Sequence, residues 1–129
     1  MFTKKERGGF KYTFAHWCSY QMTALNLGVW KFKYLFHDFE KPWIKLILRD
    51  YKKVQKWHRT HNAHHIEYEG KWDAEAMIID WECSRFTKLA SPMTARETYN
   101  EFIYKTYKDT PYEKRLKIEI KPVLDKLNL

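Results

Sequence analysis

The sequence predicts an all-α fold: one compact domain built as a bundle of five to seven helices. Three observations point there. The chain has 129 residues, one domain by length and large enough to bury a core. It carries only 4 Gly and 4 Pro, too few turn residues for an all-β fold. Its capping and breaking residues fall at intervals that suit helices.

The elements follow in order. Residues 1–9 are charged, end in Gly8-Gly9 and read as a flexible start, leaving 10–129 as the helical domain. A helix is expected from about Lys11 to Asn26, stopped near Gly28, a good residue for a left-handed cap. A second covers about Val29 to His37. Pro42 suits the first turn of a third element, Pro42–Leu48, since its missing N–H costs nothing there. A longer helix is expected over Tyr51–Tyr68, closed by Gly70. Asp73 is an N-cap for Ala74–Leu89, and Pro92 breaks the chain beyond it. Thr94 and Glu97 have the capping-box spacing and open a helix to about Tyr107. Thr110 and Glu113 repeat that spacing with Pro111 between them. Pro122 should end or kink the last helix.

Composition bounds the chemistry. Apolar residues make up 44% and aromatics 18%, so the core is expected to be built from large rings. The two cysteines, Cys18 and Cys83, are too few for a disulfide scaffold and read as reduced, inert thiols. No secretory leader is evident, and no stretch approaches the roughly 20 apolar residues of a membrane span. A soluble, cytoplasmic protein with no membrane partner is expected. The net charge of +8 favours anionic partners, either nucleic acid or phosphorylated small molecules, although it also serves solubility. The basic residues are spread along the chain, with no zinc-finger spacing and no Gly-rich phosphate loop.

The histidines are clustered. All six lie between positions 16 and 65: His16, His37, His58, His61, His64 and His65. If the helix runs through this region, His58, His61, Asn62 and His65 share one face at about 100° per residue, and His64 falls outside it. Three imidazoles with no carboxylate among them disfavour protonation and suit metal binding by neutral nitrogen. The alternative is an exposed histidine-rich surface. Asp80 has Ala76, Met77, Cys83 and Ser84 as its helical neighbours, none of them a cation. Burial there needs a metal or a basic residue from another helix. His37-Asp38 falls at an expected helix end, where adjacent side chains can reach one ion.

The order His16, His37-Asp38, a histidine-rich segment and then Asp80 resembles the HD superfamily of metal-dependent phosphohydrolases. His37-Asp-Phe-Glu-Lys41 matches its frequent HD-x-x-K form. The chain is more closely similar to a family of small bacterial and phage proteins, the DUF5662 group, over roughly residues 10–90. The matching pieces are an early His, the HD pair, His58-Arg-Thr-His-Asn62-Ala-His64-His65 and Asp80-Trp81. One departure is Glu40-Lys41, where family members often carry Ser-Lys. His64 is favoured by this motif and His61 by helix geometry, while His58 and His65 satisfy both.

The resemblance implies an HD-domain-like bundle holding one or two divalent transition metal ions, with Mn, Fe, Zn, Co or Ni suited to a His/Asp set. His16, His37, Asp38 and Asp80 would hold one ion. His58, His65 and His64 would hold a second, with His61 and Asn62 as further ligand or second-layer candidates. Asp38 would bridge, Lys41 would meet a phosphate, and Glu67 would accept a proton or orient an imidazole. Hydrolysis of a phosphorylated small molecule such as a nucleotide is the implied activity. Two alternatives stay open: an HD-type di-iron oxygenase, and a non-enzymatic phage binding or inhibitory protein with a structural metal and a basic surface.

Overall fold

Helix α4 (Ala74–Ser84) is the centre of the molecule, and its sequence requires it to be. Every residue from Ala76 to Ser84 is buried, as expected of a helix that is apolar nearly all round. The computed structural model describes residues 10–87 and 92–129, except for the side chains of residues 10, 41, 42, 45 and 51. Against α4 pack α1 (Phe10–Asn26), α5 (Ala95–Glu101) and α7 (Lys121–Lys126), while a short 3-10 turn (Phe32–Phe36) lies on α1, α2 (Lys41–Leu48) pairs with α3 (Tyr51–His61) and α6 (Pro111–Glu119) pairs with α7. All regular structure among the described residues is helical. The flexible start expected at 1–9 lies outside them. No described helix is long and apolar enough to cross a membrane.

Two apolar clusters meet at α4. On one side Ala76, Ile79 and Cys83 pack with Tyr20 and Ala24 of α1 and with Tyr34. On the other, Met77, Ile78 and Trp81 pack with Tyr99, Ile103, Leu116, Ile120 and Leu124. The caps are local and follow the sequence. Asp73 accepts a hydrogen bond from the Ala76 backbone N–H. Thr94 and Glu97 close the expected capping box. Gly28 takes a φ of 71°, which a residue without a Cβ adopts freely. The last helix breaks at Ile120, so that α6 and α7 abut there with Pro122 in the first turn of α7.

Three boundaries and one cap differ from the sequence expectation. Residues 29–37 form only the 3-10 turn, because α1 side chains take the carbonyls of this segment: Gln21 Nε2 donates to Tyr34 O at 2.6 Å and Trp17 Nε1 to Leu35 O at 2.8 Å. The helix from Tyr51 stops at His61 rather than Tyr68. Asn62 is extended there, and its amide donates to His58 O at 2.7 Å, satisfying a carbonyl that a helix end leaves open. Helix α4 ends at Ser84 and gives way to a turn at 85–87, while the last two positions of the expected extension, 88 and 89, lie outside the described residues. The second capping box is not formed: the Thr110 hydroxyl donates to Tyr107 O at 2.6 Å, while Glu113 accepts from the Asp109 N–H. The helix expected to reach Tyr107 does so by a π-helical turn, Phe102–Thr106, after α5.

Candidate metal centre

On α1, Tyr12, His16, Tyr20 and Ala24 repeat every four residues and form one buried stripe. His16 stacks on Tyr12, with centroids 5.5 Å apart, and meets the edge of Tyr20. The His37 ring lies flat on Tyr20 at 3.7 Å. His37 closes the 3-10 turn, and Asp38 takes a left-handed φ of 55°. Asp tolerates that region better than most residues. With the chain out of helix at this point, consecutive side chains can converge on one place. Asp80 arrives from the buried face of α4, where its own carbonyl is held by Ser84 Oγ at 2.6 Å.

Two clusters result, and Asp38 belongs to both. In the first, His16 Nε2 lies 3.0 Å from His37 Nε2, 2.8 Å from Asp80 Oδ1 and 3.3 Å from Asp38 Oδ2. His37 Nε2 lies 3.2 Å from Asp80 Oδ1 and 3.5 Å from Asp38 Oδ2. In the second, the other oxygen of Asp38 is used. Asp38 Oδ1 is 2.9 Å from His58 Nε2 and 3.2 Å from His64 Nε2, and these two nitrogens are 3.4 Å apart. His65 completes the second group, each group offering its ligand atoms within 4.8 Å of one another.

This geometry fits metal binding. Donors about 2.1 Å from an ion stand about 3.0 Å apart at right angles and about 3.4 Å apart in a tetrahedron. The measured separations span that range. His65 Nε2 is a buried nitrogen with no hydrogen-bond partner among the described residues, and such an atom is costly unless something binds it. Buried His/Asp groups able to hold a metal ion are thus present in the fold.

The protonation states suit the same role. Burial lowers His37 to about 4, against the opposing pull of Asp38. Burial, helped by His64 and His58, holds His65 well below the ordinary imidazole value. Both rings are therefore neutral near pH 7 and able to offer a lone pair. Burial pushes the Asp80 carboxyl up, but hydrogen bonds with His16 and His37 together outweigh it and leave it well below the usual range. Among the described residues its charged-group contacts are those two histidines. A buried carboxylate held in its ionised form, at 7% exposure, is a site suited to a cation.

Glu40 is the residue that the sequence reading passed over. Its Oε1 accepts a short hydrogen bond from His58 Nδ1 and another from Asn62 Nδ2 at 3.0 Å. Burial raises the Glu40 carboxyl, yet the hydrogen bond and charge interaction with His58 and a backbone hydrogen bond together outweigh it and lower the pKa overall. The contact directs His58 Nε2 at Asp38 and fixes its tautomer, as a carboxylate behind a ligating imidazole does. The available signal was its position two residues after the HD pair, where it had been noted only as a departure from Ser.

The fold thus gathers His16, His37, Asp38, His58, His64, His65 and Asp80, with Asn62 behind His58. His61 stays outside: it is exposed, stacks on Trp57 at 4.4 Å and donates from Nδ1 to Trp57 O. Helix geometry had favoured it because the helix was carried past its real end. The turn after Asn62 swings His64 back instead, anchored by Asp73 N–H to Ala63 O at 3.0 Å. Glu67 is hydrogen-bonded to Arg59 and to the Tyr107 hydroxyl, with no such bond to a clustered histidine among the described residues. It lines a cavity of about 280 Å³ that also reaches His65, Asp80 and Arg59. Lys41 opens α2 immediately after Glu40, and its side chain is outside the described set. No family model, curated protein or solved structure matches the chain.

Proposed function

We propose that the chain is a metal-dependent phosphohydrolase acting on a phosphorylated small molecule. The observation that carries the reading is the Asp38 carboxylate, one oxygen of which faces each histidine cluster. Such a carboxylate is suited to bridging two divalent transition metal ions. His16, His37 and Asp80 would complete the first set, and His58, His64 and His65 the second. Bound there, such ions lower the pKa of water and polarise a phosphoryl oxygen.

The chain's own groups would do the rest. Asp38 and Asp80 carry the negative charge that selects a cation. Glu40 holds the His58 ring through Nδ1 and so turns its Nε2 toward Asp38. Arg59, on the cavity that reaches His65 and Asp80, presents several N–H donors to phosphoryl oxygens, in a geometry a guanidinium suits. Lys41, three residues after Asp38, would add a second positive charge, as the HD-x-x-K resemblance implies. The net charge of +8 favours the approach of an anionic substrate.

The test is elemental analysis of protein purified without a histidine tag, followed by phosphate release from a panel of phosphate esters by metal-loaded and chelator-stripped protein. Stoichiometric metal with metal-dependent phosphate release is expected. A folded wild type with only traces of metal would overturn the metal centre. Oxygen consumption by the iron-loaded protein, without phosphate release, would replace the hydrolase with the di-iron oxygenase.

A further inference from the structure

A groove of about 310 Å³ lies between α1, the turn carrying His37 and the start of α2. Its walls are Phe14, Trp17, Phe39 and Trp43, with Leu35 between them. Phe14, Phe39 and Trp43 are 68%, 61% and 53% exposed. Exposed rings scattered singly need no explanation, but several lining one concavity mark a binding surface. The volume is within the range of small-molecule sites.

Polar capacity in the groove is small and specific. The Trp17 indole N–H is already used by Leu35 O. Thr13 is 9% exposed, and its Oγ1 has no hydrogen-bond partner among the described residues. A buried hydroxyl left without a partner is uncommon and asks for one. His37 also lines the groove and belongs to the first metal cluster. His37 thus joins one wall of the groove to the first cluster. A nucleobase or sugar would bring several polar edges to a wall that is almost wholly apolar among the described residues. An aromatic or alkyl group would find ring faces on several sides.

We propose that this groove binds an aromatic or alkyl group of the molecule on which the metal centre acts. Resting on the phosphohydrolase reading, this makes the substrate a phosphate ester of an apolar alcohol rather than of a nucleoside.

The experiment uses the full chain and two probes. Phosphate release from 1-naphthyl phosphate and from uridine monophosphate is measured with wild type, Trp43→Ala and Phe14→Ala. Binding of 1-naphthol is measured by calorimetry in metal-loaded and chelator-stripped protein. Both substituted side chains are largely exposed, so their removal spares the core. Wild type is expected to favour 1-naphthyl phosphate. Each substitution should raise its KM about tenfold while kcat stays within about twofold, the pattern of lost substrate binding. 1-Naphthol should bind with and without metal, and about tenfold more weakly to each variant. Failure of 1-naphthol to bind either form overturns the proposal, whatever the protein hydrolyses. So does an unchanged KM in both variants, which would leave the hydrolase reading standing. 1-Naphthol binding that depends on Trp43, with no phosphate released from either ester, would support the groove and remove the hydrolase.

Discussion

Asp38→Asn removes one charge from the middle of both clusters and little else. The side chain is 3% exposed and its backbone sits at a φ of 55°. Asn is nearly the same shape and visits that left-handed region readily. Without metal, the amide is easier to bury than a carboxylate. The metal-free variant should therefore melt within a few degrees of metal-free wild type. With metal the outcome differs, because the lost oxygens face His16, His37, His58 and His64. Loss of a partner behind a ligand costs about 10–100-fold in affinity, so loss of a shared ligand should cost at least roughly 100-fold. At a free metal concentration of about 1,000 times the wild-type Kd, binding stabilises wild type by about 4.1 kcal/mol, and a 100-fold weaker variant by about 1.4 kcal/mol. The difference of about 2.7 kcal/mol corresponds to roughly 10 °C for a domain of this size. Thermal melts of both proteins, stripped and loaded, read this directly. Equal metal-induced shifts in wild type and variant would refute the bridging argument.

Other consequences are open to measurement. Glu40→Gln leaves His58 without its carboxylate and should weaken metal binding about 10–100-fold in competition with a chelator; unchanged affinity would remove Glu40 from the centre. His61→Ala should leave metal stoichiometry unaltered and change stability by no more than about 0.5 kcal/mol, since its ring lies on the surface against Trp57; loss of an ion would contradict its placement. Metal-free protein should lose stability as pH falls from 6.5 toward about 4, because His37 and His65 take up protons in the unfolded chain before they do in the folded one. The slope for His37 approaches roughly 1.4 kcal/mol per pH unit, and His37→Gln should flatten it in denaturant titrations across that range. Thr94→Ala opens the capping box and should cost about 1 kcal/mol, read as a lower denaturation midpoint.

The sequence by itself determined what short-range chemistry decides. Asp73 and Thr94 cap their helices through backbone groups three residues away, and Gly28 and Pro122 act through their own φ or missing N–H. These need no distant partner, so position and residue type suffice. The helical class follows in the same way, from few turn residues and caps at helical spacing. The chemical types at the centre were also legible, since six histidines confined to one half of the chain and an Asp without a helical counter-ion are properties of the string.

Only the tertiary structure decided which of them meet. The end of α3 at His61 depends on Asn62 turning its amide onto His58 O, and on His58 and Asn62 both engaging Glu40 from 18 and 22 residues away. A helical wheel drawn through that point chose His61 and set His64 aside. The folded chain does the reverse, because the turn is held by long-range contacts that periodicity does not encode. The reduction of the 29–37 segment to a 3-10 turn has the same origin, in side chains of α1 taking its carbonyls. Asp38 lies just past that turn, outside helix as its place in the sequence implied, and its two oxygens face different histidines. Residue types are local information, whereas a shared carboxylate is a relation among five segments, and it exists only once they are packed.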